Sequence, residues 1–299
     1  MDKKLLVVYY SQTGQLEEIV NAFCGPILAG GVQVEFCKIR PKQDFPFPWT
    51  SPQFFDAMPE SVLEIPLELE PVAFKSGRYD LIVFAYQPWF LSPSIPATSL
   101  LALPAFQQIA KGTPVVTLIG ARNMWVSAQE KIKKQLISLG SPLVGNIAVV
   151  DRHQNHVSAV TILYWMLTGK KDRCLGIFPI PGIAPKDIVG TATFGNTVLS
   201  FLQKGEWGDF QRTLVDQKAV EIDADLLFVE QTGSRLFAIW AKLIKKKTNR
   251  APWLVAFKYY LLIALFLVAP VVLLIRNLLF RPFLGKQIQK KKQHYLGLD

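Results

Sequence analysis

Cysteine is scarce in this chain. Its three copies, Cys24, Cys37 and Cys174, fall at unrelated spacings, which excludes a disulfide framework and offers no metal-ligand motif. Histidine also occurs three times. No third ligand stands near His153 and His156, so no metal centre is expected. A secretory leader is not expected either, because Met1 to Lys4 run directly into a strand-like stretch that stops at Ser11. Acidic residues are nearly missing from one region. From Trp240 to Asp299 there are twelve Lys or Arg and one acid, whereas the other 239 residues carry 21 basic and 22 acidic side chains. The formal net charge of +10 therefore belongs to a tail. A nucleic-acid partner, which calls for a basic face on the folded body, is not expected. Internal repeats are lacking, and 50% hydrophobic residues are too many for a disordered chain.

What the tail does hold is a long apolar run. Leu254 to Ile275 contains one charge, Lys258, which can snorkel, and Tyr259 to Ile275 contains none. That length sits at the short end of what spans hydrocarbon. Trp253, Tyr259 and Tyr260 mark one edge as interfacial aromatics do. Lys245, Lys246, Lys247 and Arg250 precede the run; Arg276, Arg281, Lys286, Lys290, Lys291 and Lys292 follow it. A buried core helix explains the run but not these flanks, which suit anionic lipid. Six positive charges on each side, Lys258 included, give no orientation, and Pro270 can kink the helix. A full span and an in-plane segment both remain open. The expected location is the cytoplasmic side of the inner membrane, with this single C-terminal segment as anchor.

Upstream, strand-like and helix-like segments alternate. Leu5–Tyr10, Val32–Ile39, Leu81–Ala85, Pro114–Ile119 and Leu143–Val150 are short apolar runs of the kind buried in parallel sheets. Gln15–Phe23, Ser127–Leu139 and Pro185–Leu202 read as helices between or after them. The fold class expected is α/β: a flavodoxin-like, doubly wound, five-stranded parallel sheet in the order 2-1-3-4-5, with insertions and a C-terminal hydrophobic helix. The main domain covers 1–204. One insertion, 40–71, carries seven prolines among aromatic residues and is expected to pack as a lid. A second, 151–184, contains a helical stretch, Val157–Leu167. A helical, amphipathic extension follows over 205–250, then the membrane segment 251–276 and a basic tail 277–299.

In this architecture ligands bind beyond the carboxyl ends of the strands. The loop after the first strand, Ser11-Gln12-Thr13-Gly14-Gln15, combines hydroxyls and a glycine ahead of a helix N-terminus, which suits a phosphate. It resembles the flavodoxin phosphate loop, except that Leu16 stands where the last hydroxyl belongs. With no lysine it fits the monophosphate of FMN better than a triphosphate. After the third strand comes Tyr86-Gln87-Pro88-Trp89-Phe90, similar to the Pro-x-aromatic stretch of flavodoxin-like quinone reductases, with Trp89 and then Tyr86 expected against the flavin. The fourth loop, Gly120-Ala121-Arg122-Asn123-Met124-Trp125, offers backbone amides and Asn123 to the ring, and Arg122 to an anionic flavin or enolate. The fifth, Asp151 to His156, holds His153 and His156 as candidate proton shuttles.

Strings across the chain carry a further resemblance: those beginning at Val7, Phe45 (Phe-Pro-Phe-Pro-Trp-Thr), Tyr86, Gly120 and Asp151 (Asp-Arg-His). Together with the C-terminal segment they resemble the dialkylresorcinol biosynthesis proteins of flexirubin-type pigment producers, a family labelled as condensing enzymes. Condensation needs a nucleophilic cysteine with histidine partners, whereas Cys24 and Cys37 read as packed side chains of a helix and a strand. What the resemblance implies better is the companion step, an FMN-dependent aromatase oxidising a cyclic dione made by a separate ketosynthase. His153 or His156 is then the base, Arg122 stabilises the enolate, and the ring lies between Trp89 and Trp125. The substrate is a lipophilic small molecule, the membrane is the second partner, and a homodimer is compatible with the sequence. A membrane-bound NAD(P)H:quinone reductase and a non-catalytic electron carrier remain the alternatives.

Overall fold

Five segments with continuous apolar character form the central sheet. In the computed structural model, which describes residues 3–298 (280–284 as backbone alone), β1 spans Lys4–Tyr9, β2 Gln33–Lys38 and β3 Leu81–Tyr86. Met1, Asp2 and Asp299 lie outside the described residues, as does the Arg281 side chain. A two-residue hairpin follows, β4 (Pro88–Trp89) against β5 (Ser92–Pro93), and then β6 (Val115–Ala121) and β7 (Leu143–Val150). The main sheet runs β2-β1-β3-β6-β7 and every pairing in it is parallel, with Val7 aligned to Phe36 on one side and Val83 on the other. This is the flavodoxin-like order. All six residues of β3 are buried, as a central strand covered on both faces requires.

Helices cover both faces. α1 (Gln15–Ala29) packs one side with α8 (Pro185–Lys204) and α9 (Phe210–Asp216), burying Ile19, Phe23 and Val198. α1 is six residues longer than the sequence suggests and passes through Pro26. The opposite side holds α4 (Ile95–Leu101), α5 (Pro104–Ala110) and α6 (Val126–Ser138), with Phe84, Phe106 and Ile132 at its centre. The strands begin and end within two residues of their expected positions.

The proline-rich insertion closes at its neck through a Pro41–Leu69 bridge and carries two short helices, α2 (Ser51–Asp56) and α3 (Met58–Val62). A capping box between Thr50 and Gln53 starts α2. Phe55, Met58 and Val62 then pack against α10 (Ala224–Lys245) and α11 (Ala251–Ile263). The second insertion holds α7 (Asn155–Thr168).

The apolar run is part of one long helical stretch. α11 passes through a π-helical segment, Ala264–Val268, into α12 (Ala269–Ile275), then through a second π segment, Arg276–Phe280, into α13 (Arg281–Leu296). The helix therefore continues through the boundary expected at 276–277. The first π segment stops just before Pro270, whose ring and missing N–H disturb the regular ladder there. Ala251–Leu279 is long and apolar enough to cross a membrane by length and composition. Both flanks return to the folded body. Arg250 pairs with Glu60 at 2.7 Å, Arg276 with Asp225 at 2.7 Å, and Tyr295 and Leu296 pack on the second core.

Candidate functional site

The loop after β1 turns into α1 at Gly14, whose φ of 86° is left-handed and costs an ordinary side chain strain. Inside the loop, Ser11 Oγ accepts from the Glu17 amide at 3.3 Å and Thr13 Oγ1 from the Gln15 amide at 3.4 Å. Among the described residues, the amides of Thr13, Gly14 and Leu16 have no acceptor. They are the donors that a helix start offers to an anion.

Gln12 and Gln15 behave differently from expectation. The Gln12 side chain donates to the carbonyls of Phe45 (3.3 Å) and Pro46 (2.9 Å) and accepts from Tyr10 Oη at 2.6 Å. It ties the lid to the loop. Gln15 clamps the Ile183 peptide, with Nε2 donating to the carbonyl and Oε1 accepting from the amide, both at 3.0 Å. Their amide groups are thus committed to the protein, although both residues line the cavity. Leu16 is buried beneath the site, where a Cβ added at Gly120 would stand 3.1 Å from its Cδ1.

That cavity, of about 220 Å³, lies over the carboxyl ends of β1, β3 and β6. Thr13, Pro88, Trp89, Gly120, Ala121 and Arg122 all reach its wall. The structure brings these expected residues together. Trp89 is fixed by edge-to-face contacts with Phe45 (4.8 Å between ring centres), Trp49 (5.6 Å) and Tyr10 (6.1 Å). Tyr86 points away instead. It is buried, donates to Gln129 Oε1 at 2.9 Å, and burial holds its hydroxyl well above the usual range.

Trp125 is not in the wall either. It is 3% exposed within the second core, on the far side of the loop, so the expected Trp89–Trp125 sandwich does not exist. Trp49 and Trp165 line the cavity in its place. Trp49 belongs to the proline-rich lid and Trp165 to the apolar helix α7, neither of them a residue that the sequence pattern assigns to the site. The Trp49 indole N–H is buried with no partner among the described residues. An unpaired buried donor on a cavity wall is costly unless a ligand acceptor meets it. Gly182 closes the far side at a φ of 87°; a Cβ there would lie 2.7 Å from Gln15 Oε1 and 2.8 Å from Trp165 Cζ3. A cradle with free amides at one end and a free indole donor on an aromatic wall fits a ring bearing carbonyls and a terminal phosphate, the pattern of FMN.

Arg122 is half-buried, and its Nη1 donates to Asn155 O (2.9 Å) and Oδ1 (2.7 Å). Burial lowers its pKa to about 10, while Asp151 and Glu230 pull it up. It remains a cation at neutral pH on the cavity wall. Asn123 donates to the same Asn155 Oδ1 at 3.1 Å, and its own Oδ1 is buried without a partner. Asn123 does not reach the wall.

Neither histidine lines the cavity. His153 joins it through Asp151, which does: Nδ1 lies 2.6 Å from Asp151 Oδ1, whose carboxylate also accepts from the His153 amide (2.9 Å) and Ser158 Oγ (2.9 Å). The Asp151 side chain is 1% exposed and that of His153 40%. A carboxylate accepts, so the geometry puts the proton on Nδ1 and leaves Nε2 as the basic nitrogen. His156 faces the other way. Its Nε2 meets the Leu265 carbonyl in the π segment at 3.1 Å and its ring packs on Phe266, because α7 turns this residue toward the apolar helix. Among the described residues, no group of three or more His, Cys, Asp or Glu is placed to hold a metal.

No family model matches the sequence, and no curated protein matches it. Among solved structures, a flavoprotein in complex with FMN from Lactobacillus acidophilus is 16% identical, covering 49% of this chain and 93% of its own, with a TM-score of 0.41. A flavodoxin from the domain Archaea is 12% identical, covering 67% and 99%, with a TM-score of 0.37. The fold assignment rests on the strand order and pairing, which are those of a flavodoxin-like sheet.

Proposed function

We propose that this protein is an FMN-dependent oxidoreductase working at a membrane surface on a lipophilic ring, which it aromatises from a cyclic dione to a dialkylresorcinol. One observation carries the reading. Thr13 and Leu16, whose amides are free, and Trp49, whose buried indole N–H has no partner, line one cavity at the carboxyl ends of the strands. Thr13, Gly14 and Leu16 would hold the phosphate through their amides; Trp89, Trp49 and the Gly120–Ala121 turn would hold the ring. FMN, when bound, supplies the two-electron acceptor that such an oxidation needs.

The chain's own groups do the rest. The proton lost from the carbon beside the dione carbonyl has the Asp151–His153 pair as its acceptor, with Asp151 on the cavity wall and His153 Nδ1 2.6 Å behind it. Arg122, on the cavity wall, holds the negative charge that develops on the enolate oxygen. The lid, pinned by Gln12, keeps the ring from bulk solvent. A cyclic dione of this kind is supplied by a separate ketosynthase.

A pigment-pathway role makes the membrane useful, since dialkylated rings partition into lipid. The exposed apolar residues Val255, Tyr259, Ile263, Leu267 and Val271 recur every four positions along the helix. That stripe, with basic flanks, suits insertion into an anionic leaflet on the cytoplasmic side.

The test is direct. The purified protein should be yellow and release FMN on denaturation. Under anaerobic conditions an alkylated cyclohexane-1,3-dione should bleach the bound flavin while NAD(P)H leaves it oxidised. A colourless protein that takes up no added FMN sinks the proposal, and bleaching by NAD(P)H instead makes it a quinone reductase.

A further inference from the structure

A second cavity, of about 620 Å³, shares six wall residues with the first: Phe54, Pro88, Phe90, Arg122, Ile162 and Leu163. Its size falls within the range of specific small-molecule sites. Beyond the shared end its wall comes from α10, between Phe228 and Phe237, and from the apolar helix, between Tyr260 and Val272. Arg122 is the single charged residue among its lining residues, and it stands at the junction. A space with one cation at its inner end and hydrocarbon along its length matches a polar ring carrying an alkyl chain.

The outer wall is one helix thick. Ile263 and Val268 line the cavity, yet they are 53% and 49% exposed. The cavity therefore lies directly against the exposed side of the apolar helix, with Ile263 common to its wall and to the apolar stripe.

The division between the two cavities is unusual. Phe90 and Leu91 form the turn of the β4–β5 hairpin with φ of 48° and 59°. Two-residue turns of this kind favour Asn and Gly, and bulky side chains rarely adopt that backbone. The turn is held from outside: Ser61 Oγ bonds the carbonyls of Trp89 (2.9 Å) and Pro93 (3.0 Å), and Lys131 Nζ donates to Ser92 Oγ at 3.0 Å. Gly233 on α10 leaves room for Leu91, whose Cδ1 would lie 3.1 Å from a Cβ there. Strain kept at such a place is a pointer to function. It puts Phe90 on both cavity walls, packed on Phe54 at 5.0 Å between ring centres.

We propose that the second cavity is the alkyl-chain site of the ring-binding centre, loaded sideways from lipid between α10 and the apolar helix, with Phe90 marking where ring ends and chain begins. The ring half of this statement rests on the function proposed above; the chain half rests on the second cavity alone. From water, each buried methylene should tighten binding about fourfold. From a bilayer the chain is already out of water, so the site selects by shape.

The experiment uses the full chain in vesicles of phosphatidylglycerol and phosphatidylcholine. The probe is a cyclohexane-1,3-dione with a ten-carbon chain ending in a diazirine. Photolysis should label cavity-wall residues such as Leu236, Val268 and Val272. Ala269→Trp, and independently Ala264→Trp, should cut that labelling at least tenfold, while Val271→Trp, on the exposed stripe, should not. In the same variants the preference for a decyl over a methyl dione, read as flavin bleaching, should fall at least tenfold. Labelling confined to exposed Val255, Leu267 and Leu274 overturns the proposal, as does labelling that both cavity variants leave intact. Equal labelling of the wall by a diazirine phosphatidylcholine that the dione does not displace also overturns it. Cavity labelling in a protein that binds no FMN would reject the flavin reading and leave the chain site standing.

Discussion

Glu230 is a carboxylic acid in the wrong place for a charge. It is 2% exposed, on α10, and its Oε1 accepts from the Ser127 amide at 2.6 Å at the start of α6. Burial pushes it up to about 7, against the pull of the Ser127 and Val126 donors and of Arg122. An acid whose folded pKa lies above its unfolded one binds more protons when folded. Its contribution to stability is therefore present below about 4.5 and lost as pH rises to about 7, a loss on the order of 3 kcal/mol. Glu230→Gln keeps an acceptor for Ser127 and removes the titration. The variant should match the parent at pH 5 and melt at a higher temperature at pH 8; equal melting shifts at both values would reject the assignment. No sequence pattern marks this residue, since Glu230 looks like one more polar position on an amphipathic helix. Its significance comes from α10 packing over the Arg122 loop.

At the scale of elements, Gln15 joins two parts of the chain that are far apart in sequence. Both hydrogen-bonding groups of the Ile183 peptide depend on its side chain, and all four atoms are buried. Gln15→Ala strands a buried N–H and a buried carbonyl, which costs about 1–3 kcal/mol each if water does not enter. The midpoint of denaturant unfolding should fall accordingly, and retained FMN should weaken as Gly182 and Trp165 lose their support. An unchanged midpoint would show that the clamp is dispensable. The strands themselves were readable because buried parallel strands must be apolar throughout, as Leu81–Tyr86 is. The phosphate-type turn was readable because Gly14 needs a left-handed φ. The hairpin at Phe90–Leu91 was not, because its turn residues are the opposite of what such turns prefer and tertiary bonds from Ser61 and Lys131 hold it. Trp125 misled for a related reason: its neighbours in sequence face the cavity, but position 125 begins α6 and turns into the core. His156 misled because helical spacing alone does not say which face of α7 meets the apolar helix.

At the scale of the whole molecule, the proposed membrane-surface role poses a choice between a helix that crosses the bilayer and one that lies along it, and the attachments of this helix fit the second. Its start is tied to the lid through Arg250 on Glu60, at 2.7 Å. Some 25 residues later Arg276 pairs with Asp225 at the beginning of α10, and Asn277 donates to the same carboxylate at 3.0 Å. Further on, Gln211 donates to the Leu296 carbonyl at 2.8 Å and Gln231 to Tyr295 Oη at 2.7 Å. Between those points the helix rises about 38 Å, enough for a hydrocarbon core. Spanning would carry one set of attachments across the membrane, dragging Glu60 or Asp225 with it or breaking the pairs. An in-plane helix breaks none. It sinks the Val255–Leu267 stripe among the acyl chains and leaves the basic flanks at the headgroups, where each Lys or Arg near an anionic surface adds about 1 kcal/mol. Single cysteines placed at Lys247 and Lys286, in a background without the native thiols, should both react with a membrane-impermeant maleimide from the same side of sealed vesicles. Reaction from opposite sides would establish a span, and with it a large rearrangement of α10 against the helix it now holds at both ends.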